Sequence, residues 1–86
     1  KEIDIIGMEE GVVVFYEVKF RKKKTHFFNY PVITLKKKRN LLEAADNFFK
    51  EHGYEMPFRF DVVYVSVDEN NKPSIKILKD AFSPFI

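Results

Sequence analysis

Val12-Val13-Val14-Phe15-Tyr16-Glu17-Val18-Lys19-Phe20-Arg21 is the stretch that decides the fold. β-Branched and aromatic residues fill it and neither Gly nor Pro interrupts it, so it reads as a strand. Successive side chains of a strand face opposite ways. The even positions, Val12, Val14, Tyr16, Val18 and Phe20, are all apolar and are expected to be buried. The odd positions run Val13, Phe15, Glu17, Lys19 and Arg21, apolar first and charged afterwards. A strand that is apolar on both faces at its start and ionic on one face at its end belongs in the middle of a sheet. Its C-terminal end should line a cleft.

Upstream, Ile3 to Ile6 is a short β-branched run, hence another strand, and Gly7-Met8-Glu9-Glu10-Gly11 turns the chain. If Glu10-Gly11 is the two-residue turn of a hairpin, Glu9 faces Val12 and Ile6 faces Phe15. Asp4 then faces Glu17, and Glu2 faces Lys19. Directly opposed residues have Cβ atoms about 4.5–5.5 Å apart. Two carboxylates so placed repel unless a cation or a proton sits between them. A hard divalent ion such as Mg²⁺ accepts carboxylate oxygens and keeps several waters. Glu2 and Lys19 would form a flanking ion pair in the metal-free state. A one-residue slip would send Asp4 and Glu17 to opposite faces, and the pattern then describes a solvated edge hairpin with alternating charges.

Downstream, residues 22–31 form a basic, aromatic loop containing Lys22, Lys23, Lys24, His26, Phe27, Phe28 and Tyr30. A helix is expected from Leu35 to about Glu51, capped by Thr34 and stopped by Gly53, with Leu41, Leu42, Ala44, Ala45, Phe48 and Phe49 at helical spacing. Phe58 to Val67 reads as a third strand and Ser74 to Leu78 as a fourth, separated by the turn formers Asp68-Glu69-Asn70-Asn71-Lys72-Pro73. Asp80-Ala81-Phe82 is expected to make a helical turn. The order β-β-α-β-β predicts an α/β (α+β) fold, a mixed sheet with one main helix on one face.

The 86 residues make a single domain in which each apolar run needs a burial partner. A chain 45% hydrophobic and 33% charged, with 10 Phe and 4 Tyr, is globular rather than disordered. The absence of Cys excludes disulfides, thiolate zinc sites and Cys nucleophiles. No apolar stretch reaches the roughly 18 residues of a membrane span, and the expected compartment is the cytoplasm. Because the chain opens with Lys1 and is in a strand almost at once, a fragment of a longer protein is expected. Net charge is only +2, but Lys19, Arg21, Lys22, Lys23, Lys24, Lys36, Lys37, Lys38 and Arg39 hold nine of the fifteen cations. No acidic residue lies between Val18 and Leu42. Such segregation creates one electropositive region and points to a polyanion, although Lys-rich loops can equally be plain solvated surface.

Glu2-Ile3-Asp4-Ile5-Ile6, Val14-Phe15-Tyr16-Glu17-Val18-Lys19-Phe20-Arg21, Thr34-Leu35-Lys36-Lys37, Ala44-Ala45, Arg59-Phe60-Asp61-Val62-Val63 and Asp80-Ala81-Phe82 together resemble the YraN-like family of uncharacterised bacterial proteins. That family typically shows a GEIDLI strand, an FVEVKxR strand, a Lys-bearing helix start, RFDVV and a terminal AF. The resemblance covers nearly the whole chain in order. The family in turn resembles PD-(D/E)xK endonucleases, including archaeal Holliday-junction resolvases. It implies Asp4 and Glu17 as metal carboxylates, the Val18 carbonyl as a further ligand, and Lys19 as the residue that orients or deprotonates the attacking water. Lys37 matches the family's helix lysine and could bind phosphate. For Asp61 an ion pair with Arg59 or another cation is expected. The resemblance also implies that an N-terminal helix carrying another acidic residue, and a first strand, are missing here. The sheet face or edge so uncovered would invite a homodimer.

Three functions follow as expectations. The first is a Mg²⁺- or Mn²⁺-dependent endonuclease acting on DNA, branched DNA included, with Asp4, Glu17 and Lys19 catalytic. Arg21, Lys22–Lys24 and Lys36–Arg39 would grip the backbone. His26, Phe27, Phe28 and Tyr30 could stack on bases, or the Phe pair could pack under the loop. The second is a nucleic-acid-binding module on a nuclease-like scaffold without turnover. The third is a protein-interaction or assembly domain.

Overall fold

The computed structural model describes residues 3–22, 33–53 and 55–82, with Arg21 and Lys22 described by their backbone alone. Strand β1 (Ile5–Glu9) and strand β2 (Val12–Lys22) form an antiparallel hairpin. Its turn is Glu10-Gly11, with φ of 51° and 79°. Positive φ at both central residues is the twist-matched geometry of a two-residue hairpin. The turn sets the register: Glu9 pairs with Val12, Ile6 with Phe15 and Ile5 with Tyr16, as expected. The strand boundary differs from the expectation of a strand at residues 3–6 followed by a five-residue turn. Gly7, Met8 and Glu9 stay in the ladder because two left-handed residues suffice to reverse the chain.

Strand β3 (Phe58–Val67) runs parallel to β2, and strand β4 (Pro73–Leu78) runs antiparallel to β3. The sheet order is β1-β2-β3-β4, so β2 is an inner strand. The turn before β4 is held by Asp68 Oδ1, which accepts from the amides of Asn70 (2.8 Å) and Lys72 (2.9 Å). One helix, α1 (Leu35–His52), completes an α+β fold with a four-stranded mixed sheet, an arrangement consistent with a nuclease-like core. Thr34 Oγ1 accepts from the Lys37 amide at 3.1 Å, and Gly53, at φ 70°, returns its N–H to the Phe49 carbonyl. These are the side-chain N-cap and left-handed C-cap that leave the fewest orphan backbone groups.

The helix lies on the face that carries the odd residues of β2. Val13, Phe15, Leu41, Ala45, Phe49, Phe60 and Phe82 form the buried core there. The Phe15 ring meets Phe48 and Phe49 edge-on, both at 5.7 Å between centroids, and lies 5.6 Å from Phe60, which stacks on Phe82 at 4.8 Å. Phe49 also touches Phe58, at the start of β3. The C-terminal half of α1 therefore sits over the beginnings of β2 and β3, and its N-terminus points toward their C-terminal ends.

The even face of β2 corrects the expectation of full burial. Val14 is completely buried, but Val12, Tyr16 and Val18 are only half-buried and Phe20 is 61% exposed. Ile75 and Ile77 of β4 lie on that face and are also exposed. The cause is architectural: α1 covers the opposite face. The expected helical turn at Asp80-Ala81-Phe82 is also corrected. Asp80 adopts φ 52°, and the Ala81 amide donates to the Phe60 carbonyl at 2.7 Å, which docks the segment on β3 instead of coiling it.

Candidate metal and phosphate site

Three elements meet over the middle of β2, at Glu17, where β1 has ended. Glu17 projects from the helix-covered face, two residues beyond Phe15, beside Val62 of β3. Burial of the aromatic core next to it leaves Glu17 only 5% exposed. A buried carboxylate is costly unless it is paired. Two lysines pair with it: Lys19 Nζ lies 3.5 Å and Lys37 Nζ 3.3 Å from the same oxygen, Oε2. Lys19 shares Glu17's face by strand alternation. Lys37 comes from the first turn of α1, brought here because the helix runs back along β2.

Asp4 lies just before β1. Its Oδ2 accepts the Val18 amide at 2.9 Å, in the position the next ladder partner would take after the Ile5–Tyr16 pair. The N–H and C=O of one strand residue point to the same side. The Val18 carbonyl therefore also faces the region where β1 has ended, next to Asp4. Asp4 and Glu17 thus reach the same corner of the sheet, but their charges are met separately. The Asp4 carboxylate has a backbone donor and Glu17 has two ammonium groups. The repulsion that would require a cation between them is relieved without one in this arrangement.

The donor set fits a hard cation. Two carboxylates and a backbone carbonyl are oxygen ligands, and Mg²⁺ commonly takes one or two carboxylates and completes its shell with water and substrate phosphate. Among the described residues no group of three or more His, Asp or Glu side chains comes together, so within them the donors are this set.

The remaining expected cations divide. Lys36 and Arg39 are exposed on the outer side of α1. Lys38 Nζ sits 5.5 Å from the centre of the Phe82 ring, a cation–π contact on the other flank of the helix. Of the four helix-start cations, Lys37 is therefore the one that contacts Glu17. The side chains of Arg21 and Lys22, and the whole of Glu2, Lys23, Lys24, His26, Phe27, Phe28 and Tyr30, lie outside the described residues. The Lys37–Glu17 contact was missed by sequence reasoning. The signal was available in the β2-α1-β3 order, since a helix between parallel strands returns its N-terminal turn to the end of the strand it leaves.

A second charged cluster lies on the open face. Arg59 donates from Nε to Asp61 Oδ1 at 3.0 Å and from Nη2 to Asp61 Oδ2 at 3.3 Å and Glu9 Oε1 at 2.8 Å. Asp61 is 1% exposed and also accepts the Asp80 amide at 2.9 Å. The expected Asp61–Arg59 ion pair is thus present, and it ties β1, β3 and the turn after β4 together. Hydrogen bonds to Asp61, then to Glu9, hold the guanidinium pKa above its ordinary value. The Arg59 hydrogen bond, followed by the charge of Lys79, holds the Glu9 carboxyl below its ordinary value.

Fold and site define a small mixed-sheet α+β domain with a carboxylate–lysine cluster on the middle of the inner strand. The chain belongs to the uncharacterised protein family UPF0102, whose sequence model matches residues 1–65. That span contains Asp4, Glu17, Lys19, Lys37 and Asp61. The chain is similar to a UPF0102 protein of Chloroherpeton thalassium, 35% identical over 89 residues, covering 94% of this chain and 69% of the relative. It is also similar to one of Caldicellulosiruptor bescii, 37% identical over 84 residues, covering 94% of this chain and 71% of the relative. A third, from Koribacter versatilis, is 36% identical over 81 residues, covering 94% of this chain and 56% of the relative. The resemblance to the YraN-like bacterial proteins is thereby borne out.

Proposed function

We propose that this domain is the core of a divalent-metal-dependent endonuclease that hydrolyses phosphodiesters of DNA, branched DNA included. The observation that carries this reading is Glu17, buried and facing Lys19 and Lys37, beside Asp4 and the Val18 carbonyl. The cluster lies over the middle of the parallel β2–β3 pair, where Glu17 sits beside Val62 and β1 has already ended. Asp4, Glu17 and the Val18 carbonyl would hold Mg²⁺ or Mn²⁺. Such an ion supplies Lewis-acid polarisation of phosphoryl oxygen and a more acidic water. Lys19 orients the attacking water and offsets charge developing on the phosphate. Lys37, Lys36 and Arg39, with the cations of residues 21–24, attract flanking phosphates in a salt-sensitive, sequence-independent way. Among the described residues no helix is long and apolar enough to cross a membrane. DNA as substrate places the protein in the cytoplasm in this reading, and a second copy on the open sheet face is its further partner.

The test is cleavage of a labelled branched duplex in Mg²⁺ or Mn²⁺. Glu17→Ala and Lys19→Ala should each lower the single-turnover rate by roughly 10²–10⁴-fold while duplex binding survives. Undiminished cleavage by Glu17→Ala would count against the reading.

A second reading, a nucleic-acid-binding module without turnover, is favoured by one observation: Glu17 and Asp4 are already compensated by lysines and an amide. It requires salt-dependent binding unchanged in Glu17→Ala and no product with any metal. If neither reading holds, an assembly domain is left, and heparin elution unchanged by Lys22/Lys23/Lys24→Gln would favour it.

A further inference from the structure

We infer that Lys37 is the resident counter-ion of Glu17 and competes with the divalent ion for that carboxylate. The inference rests on the metal site proposed above and assigns Lys37 a role distinct from that of Lys19.

Two ammonium groups share one oxygen of Glu17, with Lys37 the nearer at 3.3 Å against 3.5 Å for Lys19. Two ammonium groups face this one carboxylate, so one of them can move away without leaving Glu17 unpaired. Lys37 is the one placed to leave. Its backbone is fixed, because its own amide donates to the Thr34 cap. Its side chain is 37% exposed, close to the 33% of Lys19, so both have solvent to move into and the helix end is what separates them. The helix end works against Lys37: the first turn of α1 contains no acidic residue, and the macrodipole there repels a cation. Glu17 is the group that holds the Lys37 ammonium against that field. A divalent ion binding Glu17 must meet or displace this ammonium. The displaced Lys37 is then free to take a phosphate oxygen at the same helix end. Metal and phosphate binding should therefore reinforce one another, reciprocally.

The experiment is a calorimetric Mn²⁺ titration of the wild-type chain, Lys37→Met and Lys76→Met, with Lys37→Gln as a second replacement and thermal unfolding recorded for all. Lys76 is exposed on β4 and carries the same formal charge, so it controls for long-range electrostatics. Lys37→Met and Lys37→Gln should tighten Mn²⁺ by about tenfold, and Lys76→Met should change it less than about twofold. Adding a short duplex should tighten Mn²⁺ in wild type but not in Lys37→Met. Equal affinities in the Lys37 and Lys76 variants, with Mn²⁺ binding intact in wild type, overturn the inference alone. Absence of Mn²⁺ binding in every variant overturns it together with the metal site on which it rests.

Discussion

The Val18 amide donates to Asp4 Oδ2 at 2.9 Å, so a side chain takes over from the backbone at the point where the β1–β2 ladder ends. This contact gives Asp4 a structural role that can be separated from any part in metal binding. Asp4→Ala removes the acceptor and should lower stability by about 1 kcal/mol, whereas Asp4→Asn keeps a carbonyl oxygen and should cost little. Urea unfolding of the two variants checks this.

The buried Asp61 is the anchor of the open face. It accepts from Arg59 twice and from the Asp80 amide, and it is 1% exposed. Asp61→Ala leaves the Asp80 amide without its acceptor, while Arg59 keeps Glu9, and should cost about 1–3 kcal/mol. Chemical denaturation should show the midpoint falling, with circular dichroism confirming that the fold survives.

Glu9 supplies a pH signature. Its folded-state pKa lies below its unfolded value because of Arg59, then Lys79. A depressed carboxylate contributes stability that is present above the unfolded pKa and lost as pH falls through the folded one. Glu9→Gln should therefore flatten the acid limb of the stability curve below about pH 4.3, the ordinary Glu value, and leave the Arg59–Asp61 contact in place. Thermal unfolding between neutral and acid pH, wild type against variant, measures it.

The hairpin turn should respond to backbone chemistry alone. Glu10 at φ 51° and Gly11 at φ 79° both occupy the left-handed region, and a Cβ on Gly11 would meet nothing within 4 Å. Gly11→Ala should still cost about 1 kcal/mol through strain, and Glu10→Asn should stabilise by a few tenths of a kcal/mol or more. A shift in unfolding midpoint in opposite directions for the two variants is the expected result.

Much of this architecture was legible from local chemistry. Val12 to Arg21 and Phe58 to Val67 are β-branched or aromatic runs without breakers, Thr34 and Gly53 mark both helix ends, and Glu10-Gly11 sets the hairpin register. The face covered by α1 was not legible, because Val12 to Phe15 is apolar on both sides and gives no preference. Phe20 was consequently expected inside and stands 61% exposed. Of the site, the proximity of Asp4 to Glu17 and Val18 followed from the register. Its bond to the Val18 amide did not, because it replaces a ladder contact that pairing rules would have continued. The two lysines on Glu17 depended on where the helix begins in space, a tertiary fact that spacing along the chain does not contain.

Asp4 and Glu17 are proposed to hold a divalent ion over the middle of β2, where β1 ends. Calorimetric Mn²⁺ titration of wild type against Asp4→Asn tests it most directly, because the asparagine keeps the Val18 hydrogen bond and removes only the charge. Wild type should bind Mn²⁺ and the variant should lose at least about tenfold in affinity. Equal affinity of the two proteins for Mn²⁺ would contradict the proposal.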